Sequence, residues 1–392
     1  MPYFLLLIIS LLLSYRAVAW ETDQYTLSAT PIAETGEEVS RFIHKKLQSS
    51  LDLANYYRIT YPSKIKQIEV KLSLEIKLFN DAKRASSYNQ MAMLEQEIRL
   101  LRQVLKTYKD DFKLTQSQQG LSAIVAKTLG GAIAKEEKKD AIWKDITGIT
   151  PYPTGMKDNQ SISFSPKRFD SIYAYAGFHR ILHPSHFIFS STIKLFDIEI
   201  GLDKLGHIFN EGFQYYRKFN HAKNLGESDQ VALNKGIAWG VDTENSYYGR
   251  WVSGIYSNAD LASNYVGLHF YFNLFAPLEI NGLTYPAILL QNKQGDYDFN
   301  PEPQNQPQRL LKRFISYHMN EAFNPSSLEY LQYIVVKKAV KNRCESWKNK
   351  HLEPAILKNK SSNLTRWNGK YYGFNAHNTV SIYDSCFASS SI

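Results

Sequence analysis

The chain reads as mainly α: a helical bundle-like domain with short β-hairpins and a small C-terminal β element. Three observations predict this. Leu94, Ile98, Leu101, Leu105, Tyr108 and Phe112 step by 4, 3, 4, 3 and 4 residues, the seam of a coiled coil over about three heptads. Residues 201–275 carry three successive helical periods with polar residues set among apolar ones. With 392 residues, 44% hydrophobic and 14% aromatic, the chain is globular in composition and long enough for one large domain or two.

Residues 1–19 have the form of a secretory signal. The apolar run from Phe4 to Leu13 is broken only by Ser10, and Ala17-Val18-Ala19 is an A-x-A cleavage site before Trp20. The run is too short for a stable membrane span. No Lys or Arg precedes it and Arg16 follows it, so an uncleaved anchor is the alternative. The remaining chain divides on this reading into an N-terminal helical region (20–150), a central helical domain (151–300) and C-terminal helices with a terminal hairpin (301–392).

Residues 34–58 predict an amphipathic helix through Val39, Phe42, Ile43, Leu47, Leu51 and Ala54, ended by Tyr61-Pro62. In residues 66–79, apolar Ile68, Val70, Leu72, Leu74, Ile76 and Leu78 alternate with polar residues, which is a strand period. A helix with Ile65, Ile68, Leu72, Ile76 and Phe79 on one face is the alternative. The strand is preferred because the helix leaves Val70, Leu74 and Leu78 off that face. The seam in 89–114 packs within the chain, or else dimerises. Residues 121–134 are small and apolar, too short to cross a bilayer with Lys127 inside, and read as a buried helix. Pro151, Pro153, Gly155 and Pro166 mark 147–167 as a linker.

His179, His183 and His186 lie in the sequence FHRILHPSH. Histidines at i, i+4 suit zinc, but Pro184 ends the helix there and no acid is interleaved, so loop or interface histidines are the default. Residues 191–200 predict a hairpin turning at Phe196-Asp197, delivering the chain into the helix that follows Leu202.

That helix has an apolar stripe of Leu205, Ile208, Phe209, Gly212, Phe213 and Tyr216, with Asp203 and His207 opposite at i, i+4. Alone, it reads as a solvated polar face. The next two helices argue otherwise. In 229–250, Glu244 falls in the apolar stripe with Ile237, Val241 and Tyr248. In 258–275, apolar residues occur all round, yet Asp260 and Asn264 sit at i, i+4 with Gly267 and Tyr271 continuing their line. A carboxylate away from water costs several kcal/mol unless it is paired or bound to a metal. Glu244 and Asp260 therefore need a cation, from His207, Lys204, Arg250 or a bound ion. The Asp203/His207 face is predicted to point at these two helices, with Gly267 admitting a close backbone.

The ordered set Asp203-Lys204-x-x-His207, Glu244, Gly254, Ser257, Asp260-Leu261, Asn264 and Gly267 resembles the YfiM-like predicted periplasmic lipoproteins, a bacterial family of unknown function. The resemblance covers about 70 residues and implies an envelope location and a polar site, but no reaction. The leader has no cysteine to be lipidated, so a lipoprotein anchor is not expected.

Residues 281–307, rich in Asn, Gln, Gly and Pro, read as a loop placed to cover the site. Helices are predicted at 307–323 and 326–347, and an aromatic terminal hairpin at 366–386. In an exported chain, Cys344 and Cys386 read as a disulfide closing about 40 residues, worth roughly 4 kcal/mol.

The net charge of +9, or +8 without Arg16, suits an anionic envelope surface or lipid, while export and the lack of a dense basic block argue against nucleic acid. Two functions follow, with a membrane-associated role, from the small-residue helix 121–134 and the basic charge, as the remainder. In the first, an exported envelope protein carries a buried polar network without chemistry and binds or scaffolds. In the second, Asp203, His207, Glu244 and Asp260 ligate a divalent ion or act as acid and base, with Lys204, Asn264 and Arg250 binding, in a hydrolase of lipid or cell-wall substrate. Oligomeric state is not readable.

Overall fold

The structure is a computed structural model that describes residues 21–136, 157, 159–167, 169–174, 190–251, 253–280, 282–293, 295–350, 354–362 and 371–388. The leader and His179, His183 and His186 lie outside the described residues, as does 147–156. The described residues form two compact units, one of residues 45–128 with 289–299, the other of the remaining described residues. Mainly α is the architecture, with a few short antiparallel strand pairs.

Three long helices come first: α1 (Gly36–Arg84), α2 (Tyr88–Leu114) and α3 (Gln118–Glu136). Two expectations fail in α1. The helix does not end at Tyr61, since Pro62 lies inside it, and 66–79 is helix rather than strand. Packing decides the second point. The Tyr61 ring packs tilted against Tyr108 at 4.5 Å between centroids, and Lys71–Glu97 and Lys109–Glu69 ion pairs, both 2.7 Å, join α1 to α2. The heptad face of α2 thus has a helical neighbour, whereas a strand there would have had no ladder partner. Val70, Leu74 and Leu78 stay exposed, which is how a helix came to mimic period-2 alternation. In α3, Leu121, Ile124, Val125, Leu129 and Ile133 are buried, as expected of a core helix, and no described helix is long and apolar enough to cross a membrane.

In the larger unit, β1 (Ser163–Phe164), β2 (Thr192–Leu195) and β3 (Ile198–Gly201) form one antiparallel sheet in that order. Part of the segment read as a linker is therefore an edge strand. The β2–β3 hairpin turns at Phe196 and Asp197 as predicted, both with positive φ. Glu34 holds the turn: its two carboxylate oxygens accept the Phe196 and Asp197 backbone N–H groups at 2.7 Å each.

Strand β3 feeds α4 (Asp203–Gly206), a π-helical turn (His207–Glu211) and α5 (Gly212–Asn224) without a break. α6 (Asp229–Glu244) and α7 (Asn258–Asn273) follow, each N-capped by a serine: Ser228 accepts Val231 N–H and Ser257 accepts Asp260 N–H. α6 stops at Glu244, six residues before the predicted end, so Tyr248 belongs to the following turns. Nearly every residue of α7 is buried. Gly267 does admit a close backbone: a Cβ on Gly212 would lie 2.5 Å from Gly267 Cα, and one on Gly267 would lie 2.2 Å from the Ile208 carbonyl oxygen.

The predicted loop 281–307 is instead two small hairpins and a short helix: β5 (Leu278–Ile280) with β6 (Leu283–Tyr285), β7 (Leu289–Gln291) with β8 (Tyr297–Phe299), and α8 (Pro301–Asn305). The predicted helix 307–323 is a run of three single 3₁₀ turns, Pro307–Arg309, Lys312–Phe314 and Tyr317–Met319. Then come β4 (Ile255–Tyr256) paired with β9 (Ser327–Leu328), α9 (Tyr330–Lys341), α10 (Cys344–Asn349), α11 (Pro354–Ser362) and α12 (Ile382–Cys386). Residues 366–370 of the predicted terminal hairpin lie outside the described residues; within 371–388 no hairpin is formed, Thr379 makes one bridge to Ser327 and the described tail ends with helix α12, capped by Ser381. Cys344 and Cys386 form the expected disulfide, which ties α10 to α12 rather than to strands. Trp347, Val336, Val340, Leu357 and Ile382 share the core beside it.

Gly267→Ala is expected to lower stability by about 1–3 kcal/mol, because the added methyl meets backbone rather than a movable side chain. A denaturation midpoint equal to wild type would show that these helices do not approach as described.

Candidate functional site

The site is built around a lysine. Lys204 is completely buried in the first turn after β3, and its Nζ donates to Asp203 Oδ2 at 2.8 Å, to Glu321 Oε1 at 2.9 Å and to Asp260 Oδ1. Burial alone works against the ammonium charge, but the Asp203, Asp260 and Glu321 carboxylates outweigh it and hold the Lys204 pKa well above its ordinary value. Asp260 is the bridge. Its second oxygen lies 3.2 Å from His207 Nε2, while His207 Nδ1 meets Asn264 Oδ1 at 2.9 Å. Burial pushes Asp260 up, yet His207 and Lys204 together bring it well below the usual carboxylate range. Burial pushes His207 down, and Asp260 reverses this, leaving the imidazole well above its ordinary pKa.

The outer members neutralise what remains. Thr22 Oγ1 donates to Asp203 Oδ1 at 2.9 Å. Glu244 accepts the Ser257 backbone N–H at 2.8 Å, and burial followed by the Asp260 charge raises it to about 8. Glu321 is raised to about 7 by burial, partly offset by Lys204 and reinforced by Asp203 and Asp260. Glu21 accepts from Ser253 Oγ at 3.1 Å and is also raised, first by burial and then by Glu321, Asp260 and Glu244. Lys204 and His207 thus face the acidic side chains of Asp203, Asp260 and Glu321, while burial favours the protonated forms of Glu244 and Glu21.

Several elements place these groups. β3 and α4 present Asp203 and Lys204, the π-helical turn begins at His207, and α7 carries Asp260 and Asn264 one turn apart. A π turn inserts one residue into the helical period, and such turns recur at sites where side chains must be re-aimed. The Ser257 cap orients the first turn of α7, and the Glu244 carboxylate at the end of α6 closes on the same residue.

Of the residues read from sequence, Asp203, Lys204, His207, Asp260 and Asn264 are brought together, with Glu244 close by. Asp203, His207 and Asp260 offer donor atoms within 4.8 Å of one another, an arrangement able to hold a metal ion. Glu244 is not in that group. Asp203 and His207 join through Lys204 and Asp260. Arg250 lies apart: it donates to Ser327 Oγ at 3.2 Å, pairs with Glu329 at 3.7 Å and covers the Tyr256 ring. Sequence reasoning missed Glu321, Glu21 and Thr22. A lone acid in the segment YHMNEAFN was the available signal for Glu321; nothing local marked the other two.

Asp203, Lys204, His207, Glu244, Asp260 and Glu321 are all less than 5% exposed. The arrangement is sealed, and the position a metal would neutralise already holds an ammonium. Compared with family models, curated proteins and solved structures, the chain finds no match in any of the three.

Lys204→Met should cost about 3–5 kcal/mol, because three buried carboxylates lose their cation; a loss under 1 kcal/mol would show that they are not paired through it. The pH dependence has a definite sign. Glu244 and Glu321 bind protons more tightly folded than unfolded, at about 8 and about 7 against 4.5, so their contribution is full below about pH 4.5 and lost as pH rises toward 8. His207, also raised, adds the same sign above 6.5, and Asp260, lowered, acts only in acid below 3.8. Glu244→Gln keeps the acceptor for Ser257 and should flatten the fall in stability between about pH 5 and pH 8 by about 1–3 kcal/mol. Parallel profiles for variant and wild type would refute the protonated Glu244.

Proposed function

We propose that this chain is an exported cell-envelope protein whose Lys204-centred network is structural, and whose role is binding or scaffolding. The reading rests on one observation: each ionisable member of the network is buried and already has a protein partner, leaving little for a substrate to reach. Buried networks of this kind select one packing of the helices that supply them. Export rests on the signal-like leader and on the resemblance read from 201–275.

A second reading has its own support. The Asp203, His207 and Asp260 donors suit a divalent ion, which would polarise a bound water for hydrolysis of a lipid or cell-wall fragment. For that ion to bind, Lys204 must leave Asp203 and Asp260.

Metal analysis of the purified protein, wild type beside His207→Ala, separates the two. Metal near zero in both is the expected result. One equivalent in wild type that disappears in His207→Ala would overturn the structural reading in favour of the metal site.

A further inference from the structure

Helix α9 has two faces of opposite character. Gln332, Val336 and Val340 are buried, while Leu331, Ile334, Lys338 and Lys341 fall in one stripe on the other side. Leu331 is 69% exposed and Ile334 49%, with Tyr330 beside them at 65%. The start of the helix is pinned. Strand β9 before it pairs with β4, Gln332 Nε2 donates to the Ser253 carbonyl at 2.9 Å, and the Glu329 N–H donates to the Gly254 carbonyl at 3.4 Å. These contacts bring the turn around residue 251 beside the first turn of α9, and Trp251 there is 71% exposed. Tyr330, Leu331 and Ile334 thus stand exposed on the anchored end of the helix, with Lys338 and Lys341 about 10 Å further along.

Scattered exposed apolar residues need no explanation, but a tyrosine and two aliphatic side chains on one face of a single anchored helix do. Aromatic and aliphatic groups next to a lysine pair match a lipid interface. The apolar cluster enters the headgroup boundary, and the amines, carried on long stems, meet anionic headgroups. Charge complementarity selects the partner, since both exposed charges of the stripe are positive and the whole chain carries +9. We propose that this face of α9 docks the protein on an anionic lipid surface. The inference is independent of the buried network: it concerns other side chains and holds whether that network is structural or binds metal.

The test is co-sedimentation of the purified chain with vesicles of phosphatidylethanolamine and phosphatidylglycerol, against vesicles of phosphatidylcholine alone. Binding to the anionic vesicles, weakened by added salt, is expected. Lys338→Glu with Lys341→Glu should weaken it about thirtyfold or more, and Leu331→Ser with Ile334→Ser at least tenfold. Both pairs are exposed, so unchanged thermal melting confirms that each variant folds. Three results would overturn the proposal: no binding to anionic vesicles, binding that survives both double variants, or concentration-dependent self-association abolished by the same variants, which would assign the face to a second copy.

Discussion

One buried ammonium organises the larger unit. Lys204 is taken wholly out of water, and the cost of doing so is of order several kcal/mol unless carboxylates surround it. Its three partners arrive from separate places: Asp203 is its neighbour, Asp260 comes from α7, and Glu321 from the turns before β9. Any shift of these elements would separate charges that cannot then find water. The lysine therefore acts as a register pin, and Asp260 extends the pinning to His207 and Asn264.

The rest of the local architecture serves that constraint. The β2–β3 hairpin, clasped at its turn by Glu34, aims the chain so that Asp203 enters at the end of β3. Gly212 and Gly267 bring α5 and α7 close enough for a lysine and a histidine to reach across. Burial, then neighbouring carboxylates, raise Glu244 and Glu21, while His207 and Lys204 depress Asp260 against its own burial. Neighbouring carboxylates with opposite shifts are what coupled burial and pairing produce.

Much of this was legible in the chain. Asp260 and Glu244 stood out because an acid inside an apolar helical stripe is locally anomalous, and the i, i+4 spacing of Asp260 and Asn264 tied both to one line. Other parts were not legible. Residues 66–79 alternate like a strand, yet the α2 seam supplied a helical partner and left Val70, Leu74 and Leu78 outside. The segment 307–323 has helical density of apolar residues, but its polar groups serve distant backbone: Asn320 donates to the Glu199 carbonyl, and Arg313 reaches Asn273 and the Pro286 carbonyl. Such demands break a helix into single turns.

What the sequence by itself determined was a requirement: two acids among apolar neighbours must find partners, and the helices bearing them must be packed together; Asp260 meets Lys204 and His207, whereas Glu244 meets the Ser257 N–H and no cation among the described residues. The sequence named Lys204, His207, Arg250 and a bound ion as candidates without ranking them, because each lay at a plausible spacing. Tertiary structure alone decided that Lys204 sits at the centre, that Arg250 turns instead to Ser327 and Glu329, and that Glu321 and Thr22 complete the shell from 117 and 181 residues away. The physical reason is range. Periodicity reports which side of an element is buried, whereas the choice of charge partner depends on distances of a few ångströms between residues remote in sequence.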